Sequence, residues 1–237
     1  MQIIGHRGAR GEAPENTLGG FQYLRQLGIR AVEFDVRQLK ELSLVVMHDD
    51  NFQRTTGLKK KIDDFHISEL QHFDHRIEWP SWSQPEYTPL LSQVLTEIQT
   101  FSHIEVEIKA VASQQAAEQL IETLLPHLIN FKNQAIITSF DHKILTALQQ
   151  THQPFKRGLL VESKPDQAID TALALGCSRI GWMNKLATKQ RIFATHTAQL
   201  KTSVWTVNKI DRAKELRDLG VDGLITDLPK IMLQELT

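Results

Sequence analysis

His6 and Arg7 stand side by side directly after the short apolar run of residues 2–5. A turn and a helix start follow this run, so the pair lies at the carboxyl end of a predicted strand. Parallel α/β folds bind their ligands at that end of the sheet. The pair therefore presents a base and a permanent cation to a ligand. This arrangement predicts chemistry on an anion, and a phosphate ester is the first candidate.

Carboxylates alternate with apolar residues in two further predicted strands. Glu33 and Asp35 are two residues apart, so they point to one side of their strand while the neighbouring apolar residues point to the other. Glu105, Glu107 and Lys109 share one side of a second strand in the same way. Buried carboxylates are costly without a compensating cation. Oxygen ligands of this kind suit a hard divalent ion such as Mg²⁺, Ca²⁺ or Mn²⁺.

Two interpretations of these strands stay open at this level. In the first, the carboxylates converge inside a barrel around a metal ion. In the second, each strand lies at an edge and has an exposed polar face. Spacing alone does not decide whether Glu105 or Glu107 would be the third metal ligand.

A second histidine, His48, closes the apolar stretch of residues 44–47 and is placed to face His6 across a barrel mouth. Two histidines suit cleavage of a phosphodiester, because one withdraws a proton from the nucleophile while the other protonates the departing alkoxide. Arg7 and Lys109 would add positive charge for the phosphoryl oxygens.

Trp205 lies at the end of a later predicted strand. Its residue type favours a packing role, and a second interpretation makes it an apolar wall for a glycerol backbone.

Short β-rich runs alternate with helical patterns along the 237 residues. Length and alternation predict an α/β fold, a (β/α)8 TIM barrel that forms a single domain over residues 1–237. An open doubly wound sheet is the alternative, but the glycine fingerprint of its nucleotide-binding forms is absent. The predicted strands are residues 2–5, 31–36, 104–109, 135–139, 156–161, 179–182, 202–206 and 223–226. The predicted helices are residues 16–27, 90–100, 114–125, 143–150, 167–175, 189–198 and 212–219.

The segment of residues 49–87, after the second strand, contains no convincing parallel strand. Loops of this length in compact domains are usually functional or mobile. We therefore predict a small insertion that caps the barrel mouth.

The balance of charge narrows the possible partners. A formal net charge of -1 and a pI near 6.8 give no broad attraction for nucleic acid or anionic lipid, so a local site must hold any anionic ligand. The predicted partner is a small molecule, and the composition leaves the oligomeric state open.

The cysteine content and the hydropathy of the chain indicate its cellular compartment. The single cysteine, Cys177, cannot form an internal disulfide, and the amino terminus lacks a signal-peptide pattern, which together favour the cytoplasm. No apolar stretch approaches the roughly 18 residues that span a bilayer, so we predict no stable membrane anchor.

An ordered set of motifs across nearly the whole chain resembles the glycerophosphodiester phosphodiesterase family. The motifs are HRGARGEAPENT, VEFDV, VVMHDDNFQRTTG, TPLL, IEVEIK, ITSF, VWTVN and GVDGLITDLP. The resemblance implies that His6 and His48 are the general acid/base pair. It also implies one divalent cation, Mg²⁺ or Ca²⁺ with Mn²⁺ as a third choice, bound by Glu33, Asp35 and Glu107. Glu107 is thereby selected over Glu105.

The same resemblance assigns Arg7 and Lys109 to phosphate contacts and places Trp205 beside the substrate. The implied reaction is metal-dependent hydrolysis of a glycerophosphodiester to sn-glycerol 3-phosphate and an alcohol. In it, a neighbouring hydroxyl attacks first to form a cyclic phosphate, which water then opens. The order in which the two histidines act is not determined. The alternatives are a lysophospholipase D-type phosphodiesterase acting on lysophospholipids and a catalytically silent phosphodiester-binding barrel.

The chain departs from the family pattern at two places. Residues 38–43 replace the Thr-x-Asp-Gly turn that usually precedes the second histidine, which affects the expected hairpin. Glu105 stands where an amide is expected, and we expect it to bind water or a basic core residue.

Replacement of His6 by Ala is expected to abolish release of sn-glycerol 3-phosphate from glycerophosphocholine, because one of the two proton-transfer groups is lost. An enzyme-coupled assay for glycerol 3-phosphate measures the effect. Undiminished turnover by the variant would contradict the role of His6.

Overall fold

The computed structural model of the protein describes residues 1–70 and 72–236. Eight of its strands run parallel, and the last of them pairs with the first, which closes a barrel. The (β/α)8 TIM barrel predicted from the sequence is thus confirmed. In chain order the strands are β1 (Gln2–His6), β2 (Ala31–Gln38), β3 (Leu44–Val46), β4 (His103–Ile108), β5 (Ala135–Ser139), β6 (Lys156–Val161), β7 (Arg179–Met183), β8 (Lys201–Trp205) and β9 (Gly223–Thr226).

Strand β3 is not part of the parallel barrel. It pairs antiparallel with β2, with Val36 opposite Val46 and Gln38 opposite Leu44. The two strands therefore form a hairpin although the usual turn sequence is replaced, and this hairpin carries the chain back toward the barrel mouth at His48.

Helices connect the strands and cover the outside of the barrel. In chain order they are α1 (Leu18–Gln26), α2 (Gln53–Thr56), α3 (Ile67–Leu70), α4 (Leu91–Glu97), α5 (Gln114–Leu128), α6 (His142–Gln150), α7 (Ala168–Ala174), α8 (Lys189–Thr197), α9 (Ile210–Asp218) and α10 (Pro229–Leu236). Short 3-10 helices occur at Ile62–Asp64, Ile129–Phe131, Pro165–Gln167 and Asn184–Leu186.

The seven predicted helices are present with shifted ends. One of them is predicted to end at residue 125, whereas α5 continues past Pro126 to Leu128. Pro126 falls in the last turn, where a proline removes one hydrogen bond, and the burial of Leu128 holds the turn in place. Helix α10 was not predicted, although Pro229 at its first position is a known helix-start signal.

The alternation in β2 explains how the barrel orients its side chains. Val32, Phe34 and Val36 are fully buried against the helices, and the Phe34 ring packs edge-on against Phe21 of α1 with centroids 5.7 Å apart. Burial of this apolar side directs the alternate residues into the barrel. The carboxylates of β2 therefore face the interior, as the first interpretation predicted, and the exposed-edge interpretation is wrong.

The end of β1 turns sharply before helix α1. A Cβ at Gly5 would overlap the carbonyl oxygen of Gly8 and lie 2.7 Å from Leu24 Cδ2. Only glycine permits this close approach. Thr17 caps α1, because its hydroxyl accepts a hydrogen bond from the Gly20 amide at 3.1 Å.

The segment of residues 49–87 contains α2, α3 and an apolar cluster of its own; Gln71 lies outside the described residues. Phe52 packs against Phe65 and Phe73, with ring centroids 5.8 and 4.9 Å away. The cluster joins Met47 and Val45 of the hairpin. The aromatic contacts therefore give this segment a defined packing against β3.

Glu86 attaches the end of this segment to helix α1. Its Oε2 accepts a hydrogen bond from the Gly19 amide at 3.0 Å, and its Oε1 accepts one from Trp82 Nε1 at 3.0 Å. The Trp82 ring also packs edge-on to Tyr23 of α1. Trp82 is therefore an anchor of the segment.

None of the helices in the described part of the chain combines the length and apolar character needed to cross a membrane.

His75 is buried between this segment and the barrel. Its Nδ1 lies 2.9 Å from Thr55 Oγ1 and its Nε2 lies 2.7 Å from Thr88 Oγ1. Burial lowers the pKa of His75 to about 4. The imidazole is therefore neutral in the folded protein at pH 7, bridging two hydroxyl groups.

The buried His75 predicts a loss of stability in acid. Because its folded pKa of about 4 lies below the unfolded value near 6.5, the unfolded chain binds more protons between those values. The contribution of neutral His75 to the free energy of unfolding is fully present above pH 6.5. It should fall by about 3 kcal/mol as the pH drops to 4. Urea unfolding measures the free energy of unfolding of wild type and of His75→Gln at each pH. The advantage of wild type over the variant should shrink as the pH falls toward 4.

The exposed His127 on α5 provides the matched control, since His127→Gln should follow the wild-type pH dependence. Parallel pH profiles for wild type and His75→Gln would contradict the assignment of a neutral buried His75.

Candidate active site

The residues that the sequence singled out converge at the carboxyl end of the barrel. A cavity of about 220 Å³ opens there. Asp35 and Lys109 lie immediately against the lining, in contact with Arg7 or Glu107. The predicted site residues that line the cavity are His6, Arg7, Glu33, His48, Glu107 and Trp205.

Glu33, Asp35 and Glu107 form a compact acidic triad. Each offers a carboxylate oxygen, and these oxygens lie within 4.8 Å of one another. Strand register produces the cluster, because Asp35 on β2 lies directly opposite Glu107 on β4. Glu105 precedes Glu107 by two residues on β4 and lies deeper in the barrel. It is opposite Glu33 in the strand register, but it does not belong to the triad.

The electrostatics of the triad show a shortage of positive charge. Burial, followed by the charges of Asp35 and Glu107, raises the pKa of Glu33 well above its usual range. Burial and Asp35 raise the pKa of Glu107 to about 7. Burial also opposes ionisation of Asp35, but Lys109 and Arg7 hold its pKa far below the usual range.

These donors fit a hard divalent cation. Among residues 1–70 and 72–236, the buried Oε1 of Glu33 has no hydrogen-bond partner. An unpaired, buried carboxylate oxygen is costly, and oxygen-only ligands suit Mg²⁺, Ca²⁺ or Mn²⁺. A cation held by the triad would also relieve the repulsion that raises the pKa of Glu33 and Glu107.

Both the backbone and the side chain of Arg7 make polar contacts with neighbouring carboxylates. Its backbone adopts the left-handed conformation, with φ of 51°, and its amide donates to Glu33 Oε2 at 3.2 Å. Its Nε lies 3.2 Å from Asp35 Oδ2, and its Nη1 donates to Glu15 Oε1 at 3.0 Å. These contacts over-determine a strained backbone at the cavity wall.

Lys109 follows β4 and also pairs within the protein. Its Nζ lies 2.5 Å from Asp35 Oδ1 and contacts Glu107 Oε1. Both basic residues thus offset carboxylate charge beside the cavity, which leaves only part of their hydrogen-bonding capacity for a phosphate.

His6 is oriented by Asp227. Its Nδ1 lies 2.6 Å from Asp227 Oδ1, and its Nε2 lies 3.9 Å from Glu33 Oε2 on the cavity side. Asn208 Nδ2 donates to Asp227 Oδ2 at 2.7 Å and holds that carboxylate in place. Burial lowers the pKa of His6, and the hydrogen bond to Asp227 offsets part of this shift.

His48 has a corresponding carboxylate partner. Its Nδ1 lies 2.6 Å from Asp49 Oδ1, and Arg54 Nε donates to Asp49 Oδ2 at 2.8 Å. Arg54 also donates to both oxygens of Glu15, at 2.5 and 2.7 Å. The carbonyl oxygen of His48 accepts two hydrogen bonds from Arg37. Both histidines therefore have one ring nitrogen committed to an aspartate, an arrangement that sets the ring orientation.

The sequence reasoning missed the partners of these histidines. Asp227 and Asn208 belong to the ITDLP and VWTVN motifs, Glu15 to APENT, and Asp49 directly follows His48. These motifs indicate the family, but their sequence does not predict the contacts of these four residues. A carboxylate next to a candidate catalytic histidine was the signal available at Asp49.

Trp205 is packed in the barrel interior and is also accessible from the cavity, so the structure agrees with the packing role, and the wall for a glycerol backbone stays a prediction. The Trp205 ring packs against Ile4, Ala31 and Ile225 and also lines the cavity. Its Nε1 donates to the carbonyl oxygen of Gly181 at 2.9 Å, which fixes the ring.

The segment of residues 49–87 contacts the site residues through Arg54. No described residue of the segment lines the 220 Å³ cavity. The predicted cap stays a prediction, and the contacts of Arg54 with Glu15 and Asp49 define what the segment does in the structure.

A closed (β/α)8 barrel whose carboxyl end carries an acidic triad and two aspartate-paired histidines has the architecture of a TIM-barrel enzyme. The profile of the Glycerophosphoryl diester phosphodiesterase family matches residues 6–231. The chain therefore belongs to this family, which confirms the resemblance found in the sequence.

Known proteins match along nearly their whole length. A glycerophosphodiester phosphodiesterase of Caldanaerobacter subterraneus subsp. tengcongensis is 28% identical over 98% of this chain and 96% of its own. One from Bacillus altitudinis is 28% identical over 96% of this chain and 95% of its own. The structure of an Oleispira antarctica phosphodiesterase in complex with the product sn-glycerol-3-phosphate covers 100% of this chain and 96% of its own, with 24% identity and a TM-score of 0.89. That similarity shows the same fold.

Replacement of Asp227 by Asn is expected to lower the kcat of phosphodiester hydrolysis about 100-fold, because the amide cannot stabilise the same protonation state and orientation of His6. KM should change much less. Steady-state kinetics measure both constants, and circular dichroism verifies the fold.

Asp222 is a suitable control because it lies before β9, at the opposite end of the barrel, and pairs with Lys201. Asp222→Asn should retain wild-type kcat. A kcat within twofold of wild type for Asp227→Asn would refute the orienting role.

Proposed function

We propose that this protein hydrolyses glycerophosphodiesters to sn-glycerol 3-phosphate and an alcohol, with one divalent cation held by Glu33, Asp35 and Glu107. The observation that carries the proposal is the convergence of this triad with His6 and His48 on one cavity. Membership of the family over residues 6–231 supports the substrate class. The product bound to the Oleispira antarctica phosphodiesterase supports the identity of the phosphate product.

The size of the cavity favours a small diester. At about 220 Å³, it is smaller than the roughly 300–1,000 Å³ typical of sites for drug-sized ligands. A lysophospholipid would need an apolar channel for its acyl chain, whereas the cavity that adjoins this one along the loop after β6 has polar lining residues that include Glu162, Ser163 and Lys164.

The two histidines divide the proton transfers. In the first step, the glycerol hydroxyl next to the phosphodiester attacks phosphorus, the bond to the departing alcohol breaks, and a cyclic phosphate forms. One histidine takes the proton of the attacking hydroxyl, and the other gives a proton to the departing alkoxide. In the second step, water opens the ring, and the same two groups act in reverse.

Asp227 and Asp49 keep the ring nitrogens of the histidines in place during these transfers, because each accepts a hydrogen bond from Nδ1. The Nε2 atoms are thereby left to exchange protons with the substrate. Arg7 and Lys109 lie beside the triad and add positive charge for the phosphoryl oxygens. When bound, a divalent cation would neutralise phosphate charge and lower the pKa of the attacking hydroxyl.

Removal of divalent ions is expected to lower glycerophosphodiester hydrolysis at least about 100-fold, because the transition state loses several kcal/mol of charge stabilisation. The protein should be dialysed against EDTA and assayed with Mg²⁺, Ca²⁺ or Mn²⁺ restored in turn. Glu107→Gln should raise the cation concentration needed for half-maximal activity, because one of the three carboxylates that bind the cation is lost. Glu118→Gln on the exposed face of α5 is the control.

Full activity after chelation would overturn the metal-dependent mechanism. Faster release of choline from lysophosphatidylcholine than of glycerol 3-phosphate from glycerophosphocholine would instead favour a lysophospholipase D activity. Binding of diester without product would favour a catalytically silent barrel.

A further inference from the structure

The far wall of the cavity differs chemically from the wall that carries the histidine and arginine pair. Phe140 directly follows β5, Leu160 lies in β6, and Glu162 directly follows β6. All three line the cavity. In the ring of eight parallel strands, β6 is diametrically opposite β1. Glu162 therefore stands across the barrel mouth from His6 and Arg7.

Glu162 carries an unpaired negative charge. Within residues 1–70 and 72–236 its exposed carboxylate has no ion pair or hydrogen bond. Arg10 also lines the cavity, but its Nε donates to Glu15 Oε2 at 3.0 Å. Lys164 is exposed two residues farther along and makes no ion pair with Glu162. The negative charge of Glu162 is thus available to a ligand.

Two aromatic rings line the same cavity as this carboxylate. The rings of Phe140 and Trp205 pack edge to face, with centroids 5.3 Å apart and an interplanar angle of 85°. Both residues are only partly buried and line the cavity. An aromatic face next to a carboxylate is the environment that binds an alkylammonium group, through cation–π and charge attraction.

A second cavity adjoins the first at this far wall. A second cavity of about 280 Å³ shares Phe140, Leu160 and Glu162 with the first and continues along the loop after β6. A substituent on a phosphate held near His6 and Arg7 has room to extend across the mouth into this second cavity.

We propose that Phe140, Trp205 and Glu162 form the subsite for the departing alcohol and that this subsite selects alcohols bearing an ammonium group. The inference rests on the proposed function and adds the class of substrate. Glycerophosphodiesters of ethanolamine or choline are preferred over those of glycerol or inositol. In this arrangement Glu162 faces the cation while the phosphate stays at the opposite wall, so the two charges of the substrate meet complementary charges.

The test compares kcat/KM for glycerophosphocholine and glycerophosphoethanolamine with kcat/KM for glycerophosphoglycerol and glycerophosphoinositol. Wild type should favour the ammonium substrates. Glu162→Gln should lower the ratio of ammonium to uncharged-alcohol substrates about fivefold, as expected for loss of one solvent-accessible charge pair. Phe140→Leu should lower the ratio for glycerophosphocholine, because it removes the aromatic face but keeps an apolar side chain.

Glu122→Gln is the matched control, because it removes the same charge from an exposed position on α5. Its substrate ratio should equal that of wild type. An unchanged ratio in Glu162→Gln, or an equal change in Glu122→Gln, overturns the subsite. If wild type hydrolyses none of the four diesters, the proposed function itself fails, and the subsite fails with it.

Discussion

Negative charge is concentrated at the mouth of the barrel, and the surrounding structure compensates only part of it. Glu33, Asp35 and Glu107 are buried together, whereas Arg7 and Lys109 supply two positive charges. Burial removes water from the ionised carboxylates and so raises the pKa of Glu33 and Glu107, and the negative charge of Asp35 raises both further. The strands hold these groups close in spite of the cost. Further positive charge from a cation would therefore stabilise the ionised cluster.

The level below shows how the same strands neutralise a carboxylate with protein groups alone. Glu105 is fully buried, and Arg179 Nη1 lies 3.3 Å from its Oε1. His103 Nε2 lies 3.0 Å from the same oxygen, and Ser203 Oγ lies 3.4 Å from the other. Burial opposes ionisation, but Arg179 and His103 lower the pKa of Glu105. The deeper layer is a closed ion pair, whereas the upper layer faces the cavity and is open to a ligand.

Glu15 links the parts of the chain that hold the two histidines. It accepts hydrogen bonds from Arg7 beside β1 and from Arg54 in α2. Although burial opposes it, the hydrogen bonds and charges of Arg54 and Arg7 lower the pKa of Glu15 to about 2, so the carboxylate stays ionised. Arg54 in turn holds Asp49 against His48. The segment of residues 49–87 thus influences the site by fixing His48 rather than by lining the cavity.

The sequence by itself determined the fold class and which residues share a face of each strand. Eight alternating β/α units predict a barrel, and period-two alternation in β2 predicts that Glu33 and Asp35 share a face. The eight parallel strands agree with the predicted runs to within a residue or two, whereas β3 was not among them. Motif resemblance selected Glu107, and the structure supplies the geometric reason: the oxygens of Glu107 converge with those of Glu33 and Asp35, whereas Glu105 is in contact with Arg179 and His103. Alternation could not do this, because it places Glu105 and Glu107 on the same face.

Only the tertiary structure decided which groups meet. Asp227 pairs with His6 across 221 positions of sequence, and Arg54 meets Glu15 across 39. Closure of the barrel creates the first contact, and packing of the 49–87 segment creates the second. Local periodicity specifies the direction of a side chain relative to its own backbone. It carries no information on the partner that chain closure brings opposite, and the pKa of each site residue depends on that partner.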